Sequence, residues 1–304
     1  MSNKIKIVFL GTSASTPTKN RNLTSIALRT DGEWLLFDCA EGTQRQMMKA
    51  KTSYLKINHI FLSHLHADHI LGLGGLLATM NIHGRDWPLT IYGPKGVDEI
   101  VNSMLKLAML KPGFEVNCIE TKKGIILKKE NFTIEALPLK HEISCFGYVF
   151  KETDTIGEFN RNKAMKLGVP VGPMFSELQK GKTIKVNGKT IKPEDVIDTT
   201  KGKTGLKISL IFDTLPAMSY FKEIENSDIL IHEASFLNEL ASRAKETFHT
   251  TALQAGEIAK KTKAKKLILF HLSARHKENE KFENEARKEF HNVVVAKDLM
   301  EIEL

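Results

Sequence analysis

Ser63-His64-Leu65-His66-Ala67-Asp68-His69 is the stretch on which the reading of this chain turns. It follows the apolar run Ile60-Phe61-Leu62 and precedes the glycine-rich Gly72-Leu73-Gly74-Gly75. An apolar strand that ends in four possible metal ligands and passes into a helix is a loop suited to holding ions. Neutral imidazoles with a carboxylate suit zinc, and less specifically manganese or iron. Two neighbouring ligand groups on one tight loop can serve two ions, His64 and His66 for one, Asp68 and His69 for the other. One loop cannot close two coordination spheres, so further ligands are expected where other strands end. His141 follows Ala136-Leu137-Pro138-Leu139-Lys140, Asp213 follows the run 208–212, and His271 follows 267–270. Singly, each is an ordinary strand-end polar residue. With the cluster they complete two sites, and Asp213 is the natural bridge, since one carboxylate can offer an oxygen to each ion.

Working outward, the chain has 304 residues, 41% of them hydrophobic and 26% charged, with a formal net charge of +8. A chain of roughly 300 residues buries about three quarters of its unfolded surface. The apolar fraction excludes intrinsic disorder, and no run approaches the ~20 apolar residues of a membrane-spanning helix. Cys39, Cys118 and Cys145 are too few, and odd in number, for a secreted disulfide framework, and read as packing residues. The apolar start near Lys4 is too short for a signal peptide and alternates like a strand. A cytoplasmic protein is expected. Strands are expected over 4–10, 25–28, 34–38 and 59–63 in one sheet, then helices over 71–80 and 97–110. A hairpin over 124–127 and 132–139 should follow, then strands over 207–213, 228–232 and 266–271, with helices over 251–261 and 276–290. The strands ending at His64 and His271 echo one another, which suggests two similar halves meeting where strand ends converge.

Residues 151–205 differ in composition. They hold 11 Lys or Arg against 7 Asp or Glu, a net +4 that is half of the chain's surplus, and seven of the 20 glycines. With few apolar runs, the segment is expected to be an extended, mobile insertion without a core of its own. A surplus of basic charge serves either solubility or a polyanionic partner.

The order His64-x-His66-x-Asp68-His69, then His141, Asp213 and His271, resembles the metallo-β-lactamase superfamily. The resemblance covers nearly the whole chain. It implies an α+β fold, a four-layer αββα sandwich with a two-metal site at the sheet edges, 1–304 forming one domain into which 151–205 is inserted. Pro17-Thr18-Lys19-Asn20-Arg21-Asn22 is similar to the P-x-K-x-R-N loop of the ribonuclease Z family. His232-Glu233-Ala234-Ser235 and His249-Thr250-Thr251-Ala252 resemble that family's later loops, and Gly168 to Pro173 its Gly-Pro element within a flexible RNA-holding exosite arm. Ser235 stands where the family has Thr, and Phe212 where Gly is common. The resemblance to the family's short form implies a zinc-dependent endoribonuclease that cuts precursor tRNA after the discriminator base. It implies two Zn²⁺ per subunit, Mn²⁺ or another divalent ion being an alternative, a homodimer, and neither membrane nor organic cofactor. Asp68 would both ligate metal and accept the proton of the attacking water. His249, steered by Glu233, would donate a proton to the leaving oxygen or contact the phosphate; on its own it also reads as a cap of the helix starting near Thr250. Lys19, Arg21, Asn22, Gly172 and Pro173 would contact RNA. A hydrolase of small esters, lactones or cyclic phosphodiesters is the runner-up, leaving the basic segment and the Pro17 loop without a task. A non-catalytic RNA scaffold would have no need of seven ligands.

Overall fold

Two seven-stranded sheets carry most of the computed structural model, which describes residues 5–276 and 278–304. Lys4, at the head of the expected first strand, lies outside the described residues. The first sheet runs in the order Glu301–Glu303, Lys6–Gly11, Ser25–Thr30, Glu33–Phe37, Ile57–Phe61, Leu89–Gly93, Val116–Glu120. The second runs Val293–Val295, Leu267–Phe270, Ile229–Glu233, Lys207–Ile211, Cys145–Glu152, Phe132–Leu139, Gly124–Lys128. The strands expected in the N-terminal third do share one sheet. Cys145–Glu152 is not apparent from the sequence because Gly147 interrupts its apolar pattern; a Cβ there would come 3.0 Å from the Leu210 carbonyl oxygen on the next strand.

Each sheet is apolar on both faces, so each must be covered twice. The helices Thr43–Lys49, Leu73–Ile82 and Val97–Leu107 cover the first, burying Leu73, Leu76, Leu77 and Val101 against Leu36, Ile60 and Ile91. The helices Ala252–Lys261 and Asn279–Arg287 cover the second, setting Ala255, Ile258 and Phe282 on Leu230, Leu267 and Leu269. The inner faces meet through aromatic rings. Phe37 and Phe61 (centroids 5.1 Å apart) touch Tyr148 (5.7 and 5.5 Å), which leads through Phe212 (6.4 Å) to Phe270 (5.5 Å). Truncating one such ring to Ala costs about 3–5 kcal/mol. The layers are helix, sheet, sheet, helix, the sandwich that the ligand order suggested. The expected helices move at their ends: 71–80 is observed two residues later as Leu73–Ile82, while 97–110 shortens to Val97–Leu107 and 276–290, of which Lys277 lies outside the described residues, to Asn279–Arg287.

Parallel pairing fixes where chemistry can gather. Glu33–Phe37, Ile57–Phe61 and Leu89–Gly93 run parallel in one sheet, and Lys207–Ile211, Ile229–Glu233 and Leu267–Phe270 in the other. Within each sheet their carboxyl ends reach the same edge, where polar side chains are free of the ladders.

A second compact unit consists of Lys129–Thr133 and Lys151–Leu206. The expectation of an extended segment without a core is corrected here. Ala164, Val169, Leu178, Val186, Ile191, Val196 and Ile197 are buried together, with the rings of Phe159 and Phe175 packed beside them, tilted to one another with centroids 5.0 Å apart. These apolar residues are single and scattered in sequence, which hid them. Two short helices, Arg161–Lys166 and Pro173–Gln179, and the hairpin Ile184–Val186/Lys189–Ile191 bring them together. The hairpin turns on Asn187-Gly188, both at positive φ (49° and 76°), the residue pair such a turn prefers.

Candidate metal centre

The loop after Ile57–Phe61 is held from both sheets. Leu62 N donates to Tyr92 O (2.8 Å), Tyr148 Oη donates to Leu62 O (2.6 Å) and Phe146 N donates to Ser63 O (2.9 Å). Gly72 ends the loop with its backbone against Cys39-Ala40, where a Cβ would lie 2.0 Å from the Ala40 carbonyl oxygen. No other residue fits that approach.

All seven expected ligands converge. His64, His66 and His141 form one group, Asp68, His69 and His271 another, and Asp213 lies with His64 and His69 in a third; the offered atoms of each group lie within 4.8 Å of one another. Asp213 Oδ2 is 3.8 Å from His64 Nε2 and 3.6 Å from His69 Nε2, while its Oδ1 is 3.1 Å from His271 Nε2. His64, His69, His271 and Asp213 are buried, whereas His66, Asp68 and His141 are half-buried.

Hydrogen bonding aims the rings. Ser63 Oγ donates to Asp38 Oδ2 (2.8 Å), so it is left to accept from His64 Nδ1 (3.0 Å). Asp38 Oδ2 also accepts from His69 Nδ1 (2.6 Å). Thr24 Oγ1 donates to Ser13 O (3.2 Å) and therefore accepts from His271 Nδ1 (2.6 Å). Phe248 O accepts from His141 Nδ1 (3.2 Å). Four imidazoles thus spend their Nδ1 protons outward and keep an Nε2 lone pair for the centre. His69 Nε2, His271 Nε2 and Asp213 Oδ1 are buried without a hydrogen-bond partner. Such orphaned acceptors are costly unless a cation meets them, so the donor set fits divalent ions.

The electrostatics agree. Burial drives the His64 proton affinity well below the usual imidazole range, abetted by His69. At His69 burial acts the same way but is overcome by Asp213 and Asp38, which hold its proton well above that range. Burial would raise Asp213, yet His271 and His69 hold its carboxyl well below the usual range. The centre therefore favours a bound positive charge.

Glu233 is fully buried and filled: Oε1 accepts from Thr214 N, Thr250 N and His249 Nδ1 (3.0 Å each), and Oε2 from Ser235 N (3.0 Å) and Ser235 Oγ (2.9 Å). Ser235 thus supplies a hydroxyl on this carboxylate. The helix at 252 is capped by Thr251, which exchanges bonds with Gln254, and not by His249. Burial alone would lower the His249 proton affinity, but Glu233 and then Asp213 lift it to about 9.

The Pro17 loop divides. Lys19 is exposed. Arg21 spends its guanidinium inside the fold, on Thr12 Oγ1 (2.6 Å), Ala296 O (3.3 Å) and Asn279 Oδ1. Asn22 N donates to Asp298 Oδ2 (2.6 Å) and its Nδ2 to Glu41 O (2.8 Å). Gly172 and Pro173 are exposed in the second unit, at the start of Pro173–Gln179. Asp38 and Thr24 were not expected from the sequence. The one available signal at Asp38 was an acid closing an apolar strand beside the cluster's own strand.

Comparison with known proteins agrees with this geometry. Residues 5–156 match the family described as Anti-Pycsar protein Apyc1. Over its whole length the chain is similar to a protein of Methanosarcina mazei named Ribonuclease Z, 42% identical over 301 residues, covering 99% of this chain and 98% of that one. Among solved structures it is similar to the short form of human tRNase Z, with TM-score 0.70, 26% identity and 98% of each chain covered. The metallo-beta-lactamase fold protein YhfI of Bacillus subtilis shares the fold, with TM-score 0.71, 20% identity and 100% of each chain covered.

Proposed function

The chain belongs to the ribonuclease Z family, and from that premise we propose that it removes the 3′ trailer of precursor tRNA, cutting after the discriminator base with the aid of two Zn²⁺ ions. It is a hydrolytic endoribonuclease of the metallo-β-lactamase superfamily, and its fold uses divalent metal. The observation that carries the finer reading is the set of imidazoles whose Nδ1 atoms are tied outward while His69 Nε2, His271 Nε2 and Asp213 Oδ1 stay unpartnered. His64, His66 and His141 would hold one ion and Asp68, His69 and His271 the other, with Asp213 between them. When bound, such ions lower the pKa of a water and neutralise the charge that gathers on the phosphate.

The chain's own residues supply the rest. Asp68 is held ionised, since His69 and His271 outweigh the effect of its burial, and one of its oxygens is fixed by Ser15 N (2.8 Å). It would accept the proton of the attacking water. His249 keeps its proton at neutral pH and is oriented by Glu233 through Nδ1, so its other nitrogen can protonate the departing 3′-oxygen of the tRNA. The products would be a tRNA 3′-hydroxyl and a trailer 5′-phosphate. Lys19 is the cation of the Pro17 loop free to meet RNA, with Arg21 and Asn22 shaping that loop from within.

The unit formed by Lys129–Thr133 and Lys151–Leu206 is read as the arm, inserted in a single domain 1–304, that holds the tRNA body. Arg161, Lys163, Lys166, Lys185 and Lys189 are exposed there, as are Gly172 and Pro173 at the start of the helix Pro173–Gln179. A homodimer in the cytoplasm completes the reading; among the described residues no helix is long and apolar enough to cross a membrane. The deciding experiment incubates purified, zinc-loaded protein with a trailer-bearing precursor tRNA and maps both ends of the cut. A single cut after the discriminator is expected. No cut there, with rapid turnover of a lactone or small ester, would favour the runner-up hydrolase.

A further inference from the structure

Ser15 N donates to Asp68 Oδ2 (2.8 Å), so this carboxylate is held from outside its own loop. The donor sits on an unusual piece of backbone. Thr16 N donates to Ala14 O (2.5 Å), and Ser15 between them has φ 56°. A three-residue turn with positive φ at its centre is the rare, strained form of the γ-turn, and serine lacks the freedom of glycine to adopt it. Ser13 Oγ braces the turn by donating to Thr16 O (2.7 Å). The Ser15 side chain is exposed, so its packing does not account for the conformation. What the turn achieves is to aim the Ser15 N–H at Asp68.

The same segment reaches a second ligand of the same group. Ser13–Ala14 lies parallel to Leu272–Ser273, which directly follow His271, and Leu272 N donates to Thr12 O (3.0 Å). Ser13 O accepts from Thr24 Oγ1, which in turn accepts from His271 Nδ1. Asp68 and His271 form one cluster with His69. Positive φ recurs around it: His271 itself has φ 55°, and Asp38, which accepts from His69 Nδ1, has φ 56°. Backbone strain persists only where its surroundings over-determine it, and it gathers at functional sites. Resting on the assignment of Asp68, His69 and His271 to one ion, we infer that Ser15 is a positioning residue for that half of the centre, its backbone N–H fixing the Asp68 carboxylate. His64 and His141 are oriented instead by Ser63 and the Phe248 carbonyl. The effect of the turn therefore falls on one ion of the two.

The test titrates zinc against a chromophoric chelator in three variants of the full chain. An amide-to-ester replacement at Ser15 exchanges the N–H for oxygen and keeps every side chain. Ser15→Val keeps the N–H but disfavours positive φ, whereas Ser15→Gly keeps the N–H and reaches that φ freely. The ester and Ser15→Val should each weaken one of the two zinc steps about tenfold and leave the other within twofold. On precursor tRNA their kcat should fall while KM stays within twofold, and Ser15→Gly should match the wild type in both assays. Ser15→Val with a lowered Tm of the chelated protein and both zinc steps intact would make Ser15 a loop-shaping residue and overturn the inference. So would equal weakening of both steps, or an ester variant that binds zinc like the wild type. Two zinc steps behaving as expected without cleavage of precursor tRNA would refute the proposed substrate and leave the inference standing. Fewer than two zinc ions in the wild type would remove the two-ion reading and the inference together.

Discussion

Asp38 is the residue whose replacement most directly tests how this centre is built. Its carboxylate accepts from Ser63 N (2.7 Å), Ser63 Oγ (2.8 Å) and His69 Nδ1 (2.6 Å). Asp38→Asn keeps the shape, and the backbone tolerates it, because Asp38 sits at φ 56°, a region Asn visits as readily as Asp. The amide oxygen retains the bond from Ser63 N. Its NH₂ then faces His69 Nδ1, which must change from donor to acceptor. The ring proton moves to Nε2, the buried atom that otherwise carries a free lone pair. His69 would be presented to the metal in the wrong tautomer. Losing an outer partner of this kind lowers metal affinity about 10–100-fold, or about 1.4–2.7 kcal/mol. The assay is zinc affinity by competition with a chromophoric chelator, beside thermal unfolding of the chelated protein. Asp38→Asn should lose affinity by that factor. Affinity within twofold of wild type, with a large fall in the chelated protein's Tm, would make Asp38 a packing group and refute the tautomer argument.

Thr24→Val removes the acceptor of the His271 Nδ1 proton and strands a buried donor, so chelated protein should lose about 1–3 kcal/mol in denaturant titration; Thr24→Ser should restore it. His249→Ala should lower kcat about 10²–10⁴-fold with little change in KM. Since Glu233 and Asp213 lift the His249 proton affinity to about 9 against burial, wild-type kcat should fall as pH rises through that value, where the donor loses its proton, and the variant's profile should lack that limb. Deleting 157–202 should raise KM for precursor tRNA severely yet spare a small aryl phosphodiester; equal loss of both would count against an RNA-holding role.

Much of the centre was legible because metal ligation leaves a local mark. His64, His66, Asp68 and His69 lie on one loop, and His141, Asp213 and His271 each follow an apolar run, so residue type and strand-end position sufficed to select them. Arg21 and Asn22 show the opposite case. As letters they resemble an RNA-contacting loop, yet their polar groups are taken up by Thr12, Asn279, Asp298 and Glu41. Two of these partners, Asn279 and Asp298, lie more than 250 residues away in the chain, and no local pattern reports them. The buried residues of 164–197 are hidden for a similar reason: each is isolated in sequence, so neither a two-residue nor a 3.6-residue period reveals them.

The sequence by itself determined the fold class, the seven candidate ligands and their likeness to one family, because alternation, strand-ending histidines and ligand spacing are properties of short stretches. Only the tertiary structure decided that Asp38, Thr24, Ser63 and the Phe248 carbonyl take the Nδ1 protons, that Ser235, Thr214 and Thr250 fill the Glu233 carboxylate beside His249, and that the basic segment has a core. The physical reason is one of range. A ligand is chosen by its own chemistry, whereas its tautomer and proton affinity are set by partners that only the packing of two sheets brings within about 3 Å.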